Sequence, residues 1–246
     1  MNRRSAVALL GGLTLAGCSV NPTPPPPSRC VSVDSLSTYG QIGGARLVYE
    51  EDQIARSFRI DSAFAEQVTG WLASWDQVVG ATTTAIRTYG TWIDGGGACT
   101  SMHHSGRALD IAAMTSGGVT TVTCRTDRWA GTAAELRAYW RLAASLHRRF
   151  AYVLTYLYDA DHANHIHVDD SISRSQGSVF TGRSRVQVHA VQAICTYVLG
   201  RETALSGSWD AATRRAVSEV TASRGLAADL TRTPAWHAFL DAAAQG

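Results

Sequence analysis

Two short stretches of this chain hold most of its histidine. Ser101–Asp110 contains two of the eight histidines and His162–Asp169 contains three, although the composition is otherwise not rich in histidine. Side chains of an extended segment alternate between two faces, so His165 and His167 lie on one face while Ile166 points to the other. Two imidazoles are therefore predicted to converge on one point.

The first stretch adds a carboxylate to that point. Asp110 alternates with Leu109 along a predicted strand, and Gly106 permits a turn that returns His103 over the Asp110 face. Two neutral imidazoles and one carboxylate suit Zn²⁺, and three protein ligands leave a fourth position open for water. Each residue taken singly is explained as well by solvation or an ordinary hydrogen bond, but the joint pattern predicts a catalytic metal site.

The same residues resemble a known group of enzymes. The pattern Ser-x-His-x-x-Gly-x-Ala-x-Asp at 101–110, followed by His-x-His at 165–167, is similar to the signature of zinc D-Ala-D-Ala peptidases and related cell-wall metallopeptidases. More closely, residues 61–172 resemble the bacterial extensin-like C-terminal domain, including its His-x-x-His-x-His-x-Asp ending. The motif is specific, while the surrounding similarity is looser.

The resemblance implies a role for each motif residue. The implied zinc ligands are His103, Asp110 and His167. His165 becomes the unliganded catalytic histidine, and His162 a second histidine at the site. Part of the group has a glutamate general base three residues before the last ligand. This chain has Asn164 there, so it follows the branch that uses histidine instead.

Two further residues are predicted to support this site. The related peptidases place an arginine on a strand upstream of the first histidine ligand, and Arg87 occupies that place in the strand-like segment Ala85–Trp92. Its planar guanidinium suits a carbonyl or carboxylate oxygen of a substrate, with a surface ion pair as the alternative. Asp169 lies one alternation beyond His167 and is expected to accept that ring's other N–H.

The first 30 residues indicate export and anchoring. Arg3 and Arg4 precede an apolar run that is too short to span a bilayer, which predicts a signal peptide at 1–17. The ending Leu-Ala-Gly-Cys resembles a bacterial lipobox, so Cys18 is expected to carry lipid, unless the cysteine follows an ordinary signal by chance. The proline-rich remainder of 18–30 is a tether. We therefore expect a lipid-anchored protein of the cell envelope.

The net charge and the cysteine content limit the expected binding partners and the expected cellular compartment. The net charge is +2 and no lysine is present, so nothing indicates a nucleic-acid partner. Four cysteines remain beside Cys18, and an even count in an exported chain favours disulfides over zinc thiolates, since no Cys-x-x-Cys occurs. The favoured pairs are Cys99 with Cys124 and Cys30 with Cys195.

The remaining patterns predict an α+β fold. Residues 31–172 form the peptidase-like domain, a small and mostly antiparallel sheet with helices on one side. Its predicted elements are an irregular Val31–Phe58, a helix with Asp61 or Ser62 as N-cap and Gly80 as its end, a hairpin at Gly117–Gly118, a helix Thr132–Phe150 and a strand Ala151–Tyr158. His147 is assigned to the surface of the second helix.

The C-terminal part is expected to be a separate all-α unit. A linker at 173–185 leads to 186–246, where the run Val191-Gln192 and the later Gly-x-Trp-Asp-x-x-Thr at 207–213 resemble the small helical peptidoglycan-binding domain. These are turn and core residues rather than ligand contacts. A helical cap that only covers the first domain is the alternative.

Together these features predict an exported zinc peptidase that acts on D-amino-acid-containing peptides of the cell wall, as a carboxypeptidase or an endopeptidase. A non-catalytic peptidoglycan-binding lipoprotein is the first alternative, and a fourth protein ligand such as His162 would favour it. The second is a non-haem iron oxygenase, because two histidines and a carboxylate also form its facial triad. Export and the His-x-His ending argue against iron.

Overall fold

The α+β class is confirmed by a computed structural model, which describes residues 30–96, 99–150, 152–170 and 177–246. The predicted signal peptide, Cys18 and nearly all of the tether lie outside these residues, so those assignments stay predictions. No helix within the described ranges is both long and apolar enough to cross a membrane.

The strands are β1 (Ser37–Tyr39), β2 (Gln41–Ile42), β3 (Ala45–Tyr49), β4 (Phe58–Ile60), β5 (Ala85–Gly90), β6 (Ala108–Ser116), β7 (Val119–Thr123), β8 (Tyr152–Leu154) and β9 (Ile166–Asp169). The α-helices are α1 (Ser62–Val79), α2 (Ala133–Arg149), α3 (Arg185–Tyr197), α4 (Ala211–Ala222) and α5 (Thr233–Gln245).

Seven strands of the described chain form the main sheet in the order β2-β3-β5-β6-β9-β8, with β7 also paired to β6. Only β3 and β5 run parallel among these pairs, so the sheet is mostly antiparallel as predicted. The hairpin at Gly117–Gly118 joins β6 to β7. β1 and β4 pair separately.

The prediction that Val31–Phe58 is irregular is wrong, because it contains β1, β2 and β3. These strands are two to five residues long. Segments this short hold too few residues for alternation to be recognised. Of the predicted strand Ala151–Tyr158, the described residues 152–158 contain β8 at Tyr152–Leu154, which pairs with β9, and the rest of them lie outside a strand.

The two predicted helices of the first domain are confirmed with their caps. The Asp61 carboxylate accepts the backbone N–H of Phe64 at 3.0 Å, and Gly80 ends α1 in the left-handed conformation at φ 66°. Thr132 and Glu135 form a capping box at the start of α2. Trp71 of α1 donates its indole N–H to a buried hydroxyl of α2, which ties the two helices together.

The prediction that His147 lies on the surface is wrong, because its side chain is fully buried. Its ring packs 6.2 Å, centroid to centroid, from Trp236 of α5. Helix α2 has one face against α1 and the sheet and another against α3 and α5. The C-terminal helices therefore share one hydrophobic core with the first domain.

The predicted disulfide pairs are also wrong. Cys30 is bonded to Cys99, while Cys124 and Cys195 are buried thiols without a disulfide. Burial raises the pKa of the Cys195 thiol to about 12, so it stays protonated and behaves as an apolar core residue. Counting cysteines could not reveal that Cys124, which follows β7, and Cys195, which lies in α3, are buried in the hydrophobic core.

Candidate metal centre

The sheet itself brings the carboxylate and one histidine together. β6 and β9 are antiparallel neighbours, and Asp110 is the direct partner of His167 in their register. Leu109 and Val168, the partners one position away, are buried on the opposite face of these strands. Hydrophobic alternation therefore fixes the register that puts the two polar side chains side by side.

A tight turn delivers His103 to the same place. His103 lies in a 3₁₀ turn, Met102–Ser105, that Ser101 caps through its hydroxyl and Gly106 ends at φ 66°. A Cβ at Gly106 would meet Leu36 at 2.8 Å, so both the conformation and the space require glycine. The predicted glycine turn is present.

The three side chains converge on one small volume. His103 Nε2 and His167 Nδ1 lie 3.2 and 2.9 Å from Asp110 Oδ1, and the two nitrogens are 3.2 Å apart. Within the described residues these are the three that could hold one metal ion, with ligand atoms all within 4.8 Å of one another. The donor set, two imidazoles and a carboxylate, fits Zn²⁺.

Acceptors behind both rings orient these nitrogens. His103 Nδ1 is 2.7 Å from the carbonyl oxygen of Thr91, which can only accept, so Nδ1 carries the proton and Nε2 presents its lone pair to the centre. His167 Nε2 is 3.1 Å from Asp169 Oδ2. Metal-ligating histidines usually have such a partner on the far nitrogen, and Asp169 occupies the predicted supporting position.

The ionisation of the clustered side chains suits a bound cation, because Asp110 is held in its negatively charged form. Burial disfavours ionised Asp110, but the His103 and His167 rings stabilise its carboxylate and hold the pKa well below the usual range. Burial likewise disfavours charged His167, yet Asp110 and Asp169 raise its pKa to about 9. Without a metal ion, the proton shared by His167 and Asp110 supplies the positive charge that this carboxylate needs. A bound metal ion would displace that proton and supply the charge instead.

His165 stands beside the three-residue cluster with a different protonation. Its Nδ1 lies 2.6 Å from Asn164 Oδ1, which can only accept, so the ring donates there and its Nε2 faces Asp110 Oδ1 at 3.4 Å. Burial lowers the pKa of His165 to about 4. A neutral ring with an unprotonated nitrogen turned toward the centre can accept a proton.

The other two predicted site residues have local ionic partners. His162 Nδ1 is 2.5 Å from Asp159 Oδ1, and its ring lies 5.0 Å from that of His165, so it is near the centre. Arg87 places Nε and Nη2 each 2.7 Å from the two carboxylate oxygens of Glu50. The Arg87 guanidinium is thus already paired with a carboxylate of the protein. Its contact with a substrate stays a prediction.

Sequence reasoning missed the residues around Arg87. The Glu50 carboxylate is almost completely buried and also accepts Arg125 Nη1 at 2.9 Å. Arg125 in turn forms a paired contact with Asp127, and its guanidinium lies over the ring of Tyr89. Only the spacing Arg125-x-Asp127 was visible in the sequence, and such pairs are common on surfaces.

A family model described as extensin-like protein C-terminus matches residues 48–179, which is more than half of the chain. The chain belongs to this extensin-like family. The matched segment runs from β3 through β9 and contains all three candidate ligands, His165 and Asp169. It confirms the extensin-like resemblance predicted for 61–172 and extends it at both ends. Comparison with curated proteins and with solved structures found no match.

Proposed function

We propose that this extensin-like protein is a zinc-dependent peptidase that cleaves D-amino-acid-containing peptides of the bacterial cell wall. The observation that carries the proposal is the centre at His103, Asp110 and His167, where two imidazoles have fixed outward partners and three ligand atoms face one point. Three protein ligands are the number found in catalytic zinc sites, whereas structural sites use four.

When bound, Zn²⁺ supplies Lewis acidity, which polarises a scissile carbonyl and acidifies a water molecule. The chain's own contribution is the handling of protons. Nε2 of His165 accepts the proton of the attacking water and returns it to the nitrogen of the leaving amine, so that one water is consumed for each peptide bond broken. Asn164 keeps the opposite nitrogen, Nδ1, protonated throughout.

The substrate class is supported by the motif and by the N-terminal segment. The spacing of the ligands is similar to that of zinc D-Ala-D-Ala peptidases, and the lipobox-like residues 15–18 would hold the enzyme at the cell envelope where such peptides occur. The Cys30–Cys99 disulfide is typical of an oxidising compartment outside the cytoplasm. The helical region 186–246 would then assist binding to peptidoglycan.

A structural metal site in a non-catalytic wall-binding protein is the second candidate. It is favoured by the closeness of His162, whose ring centroid is 6.1 Å from that of His167. If His162 also ligated, the site would have four protein ligands and no position would remain for water.

The test combines metal analysis with substrate turnover on one preparation. Purified protein should contain one equivalent of zinc and release D-amino acids or cut peptides from defined muropeptides, as followed by mass spectrometry. A His237→Ala variant is the control, because this histidine lies on α5 and bonds the carbonyl of Ser178, and neither residue belongs to the centre. Stoichiometric zinc with no turnover across a broad muropeptide panel would favour the structural site, and bound iron in place of zinc would contradict the zinc peptidase and favour an iron oxygenase.

A further inference from the structure

Strand β5 is distorted beside the metal centre. In its register with β6, Thr88 is the partner of Ile111 and Gly90 is the partner of Asp110, so Tyr89 has no partner of its own. An extra residue of this kind is a β-bulge, which changes the direction of a side chain and is common next to active sites. The bulge places Tyr89 next to the strand position that faces the ligand Asp110.

The ring of Tyr89 lies between His165 and an arginine. It meets the His165 ring edge to face, with centroids 5.9 Å apart and an interplanar angle of 62°. The Arg125 guanidinium carbon is 5.8 Å from the Tyr89 centroid. Edge-to-face rings and a cation over an aromatic face are both favourable contacts, so the ring is held by two neighbours.

Arg125 is itself immobilised. Nε and Nη2 bond the two oxygens of Asp127 at 2.8 and 2.7 Å, and Nη1 bonds Glu50 at 2.9 Å. Glu50 is shared with Arg87, so two guanidinium groups and two carboxylates balance to zero net charge. Paired charge-assisted bonds fix the plane of a guanidinium far better than a single contact does.

The same segment also holds the backbone in front of His165. The Thr126 hydroxyl and the Asp127 backbone N–H donate to the carbonyl oxygen of Ala163 at 2.7 and 3.1 Å. Ala163 lies two residues before His165. The segment 125–127 therefore restrains His165 in two ways. It bonds the backbone just before His165, and Arg125 supports the Tyr89 ring that contacts the imidazole.

We propose that Tyr89 is a positioning residue that fixes the imidazole of His165 against the metal centre, with Arg125 as its support. The hydroxyl of Tyr89 takes no part in this role, which needs only the aromatic ring. The expected effect on turnover rests on the proposed peptidase function, whereas the effect on the His165 ring does not.

The test removes the aromatic ring and keeps an apolar side chain at the position. Tyr89→Leu removes the edge contact, Tyr89→Phe restores it, and Tyr49→Leu is the matched control. Tyr49 is also a β-strand tyrosine beneath an arginine, with Arg56 4.7 Å above its ring, but it does not contact His165. Histidine ring resonances in nuclear magnetic resonance spectra are recorded for each variant, with His165 assigned through its loss in His165→Ala.

Tyr89→Leu should shift and broaden the His165 ring signals while leaving zinc content unchanged. It should lower kcat about 10²-fold with little change in KM, since misplacement of a catalytic group by about 1 Å costs this much. Tyr89→Phe should recover both signals and kcat, and Tyr49→Leu should alter neither. Arg125→Lys, which keeps the charge but loses the paired bonds to Asp127, should broaden the same signals and serves as the second variant if Tyr89→Leu does not fold.

Unchanged His165 signals in Tyr89→Leu, or in Arg125→Lys where that variant replaces it, would overturn the proposal. An equal change in the Tyr49→Leu control would do the same. If the wild-type protein turns over no muropeptide, the peptidase proposal fails on its own, and the resonances still decide whether Tyr89 orients His165.

Discussion

Two clusters of buried polar side chains in the described part of the chain differ in where their hydrogen-bonding groups point. In the C-terminal helices, the fully buried Gln192 donates to Ser206, Ser208 and Thr213 and accepts the backbone N–H of Gly207 at 2.8 Å. Both side-chain polar atoms of Gln192 bond groups in the turn at 206–208 or in the first turn of α4. Nothing is left to face a ligand.

At the candidate metal centre, the outward-facing ring nitrogens have hydrogen-bond partners and the inward-facing atoms lie close to one another. His103 and His167 bond Thr91 and Asp169 behind them, while their remaining nitrogens crowd the Asp110 carboxylate. Most buried polar groups that serve only the fold have partners within the protein and do not converge on one another. Convergence of acceptors on one point is therefore the feature that separates a candidate site from a structural cluster, and the following variants test that distinction.

Removing the carboxylate of the centre should have the largest effect. Asp110→Ala leaves two imidazoles, so zinc affinity should fall by more than the roughly 100-fold seen when a supporting partner is lost. Leu109 and Ile111 still hold β6 in the core, and the fold should survive. Dialysis against a competing chelator measures the affinity, and an unchanged value would remove Asp110 from the ligands.

His165→Ala should separate catalysis from metal binding. The expected loss in kcat is about 10²- to 10⁴-fold, the usual contribution of a general acid–base residue, with zinc retained. Zinc content, melting temperature and muropeptide turnover are measured on one preparation. Loss of zinc in step with activity would make His165 a ligand instead.

The orienting carboxylate should matter less than the ligands. Asp169→Asn can still accept a hydrogen bond from His167 but loses the charge, so zinc affinity should fall about 10- to 100-fold. The chelator competition used for Asp110 applies here as well. A loss as large as that of Asp110→Ala would indicate that Asp169 ligates directly.

The C-terminal cluster should respond in stability alone. Gln192→Ala leaves the Gly207 N–H and the Thr213 hydroxyl without their buried partner, which should lower the free energy of unfolding by about 1–3 kcal/mol. Urea denaturation measures this change. Zinc affinity should equal that of the wild type, and a reduced affinity would show that the two clusters are coupled.

His147 should make the protein acid-sensitive without touching the centre. Neither ring nitrogen has a hydrogen-bond partner within the described residues, and burial lowers the pKa of His147 from 6.5 to about 3. The unfolded state binds the proton first, so the free energy of unfolding is unaffected above pH 6.5 and falls by about 1.4 kcal/mol per pH unit below it. At pH 5 the loss is roughly 2 kcal/mol.

His147→Phe removes this titration and puts a slightly larger apolar ring in the same place. Metal-free wild type and variant are unfolded in urea at pH 7 and pH 5, so that titration of the ligand residues is common to both. The variant should lose about 2 kcal/mol less than the wild type between the two pH values. Parallel losses would mean that His147 is not a buried neutral ring.

The sequence by itself predicted the candidate ligands that the fold brings together, and it predicted both helices of residues 31–172. Helical periodicity and capping residues are local signals, so the apolar spacing, with Asp61 or Ser62 as N-cap and Gly80 as the end of α1, was sufficient to place both helices. Alternation on two strands put His167 and Asp110 on polar faces, and one family motif covered both stretches. The extensin-like assignment and the α+β class follow from these local patterns.

Tertiary structure alone decided which distant residues meet. Cys30 pairs with Cys99 rather than Cys195, and His147 is buried because α5 covers a face of α2 that looks polar in the sequence. The contact of Tyr89 with His165 needs a bulge that periodicity does not reveal. Local sequence patterns record which face of an element is apolar, but packing chooses the neighbour that covers it, and that choice depends on residues far along the chain.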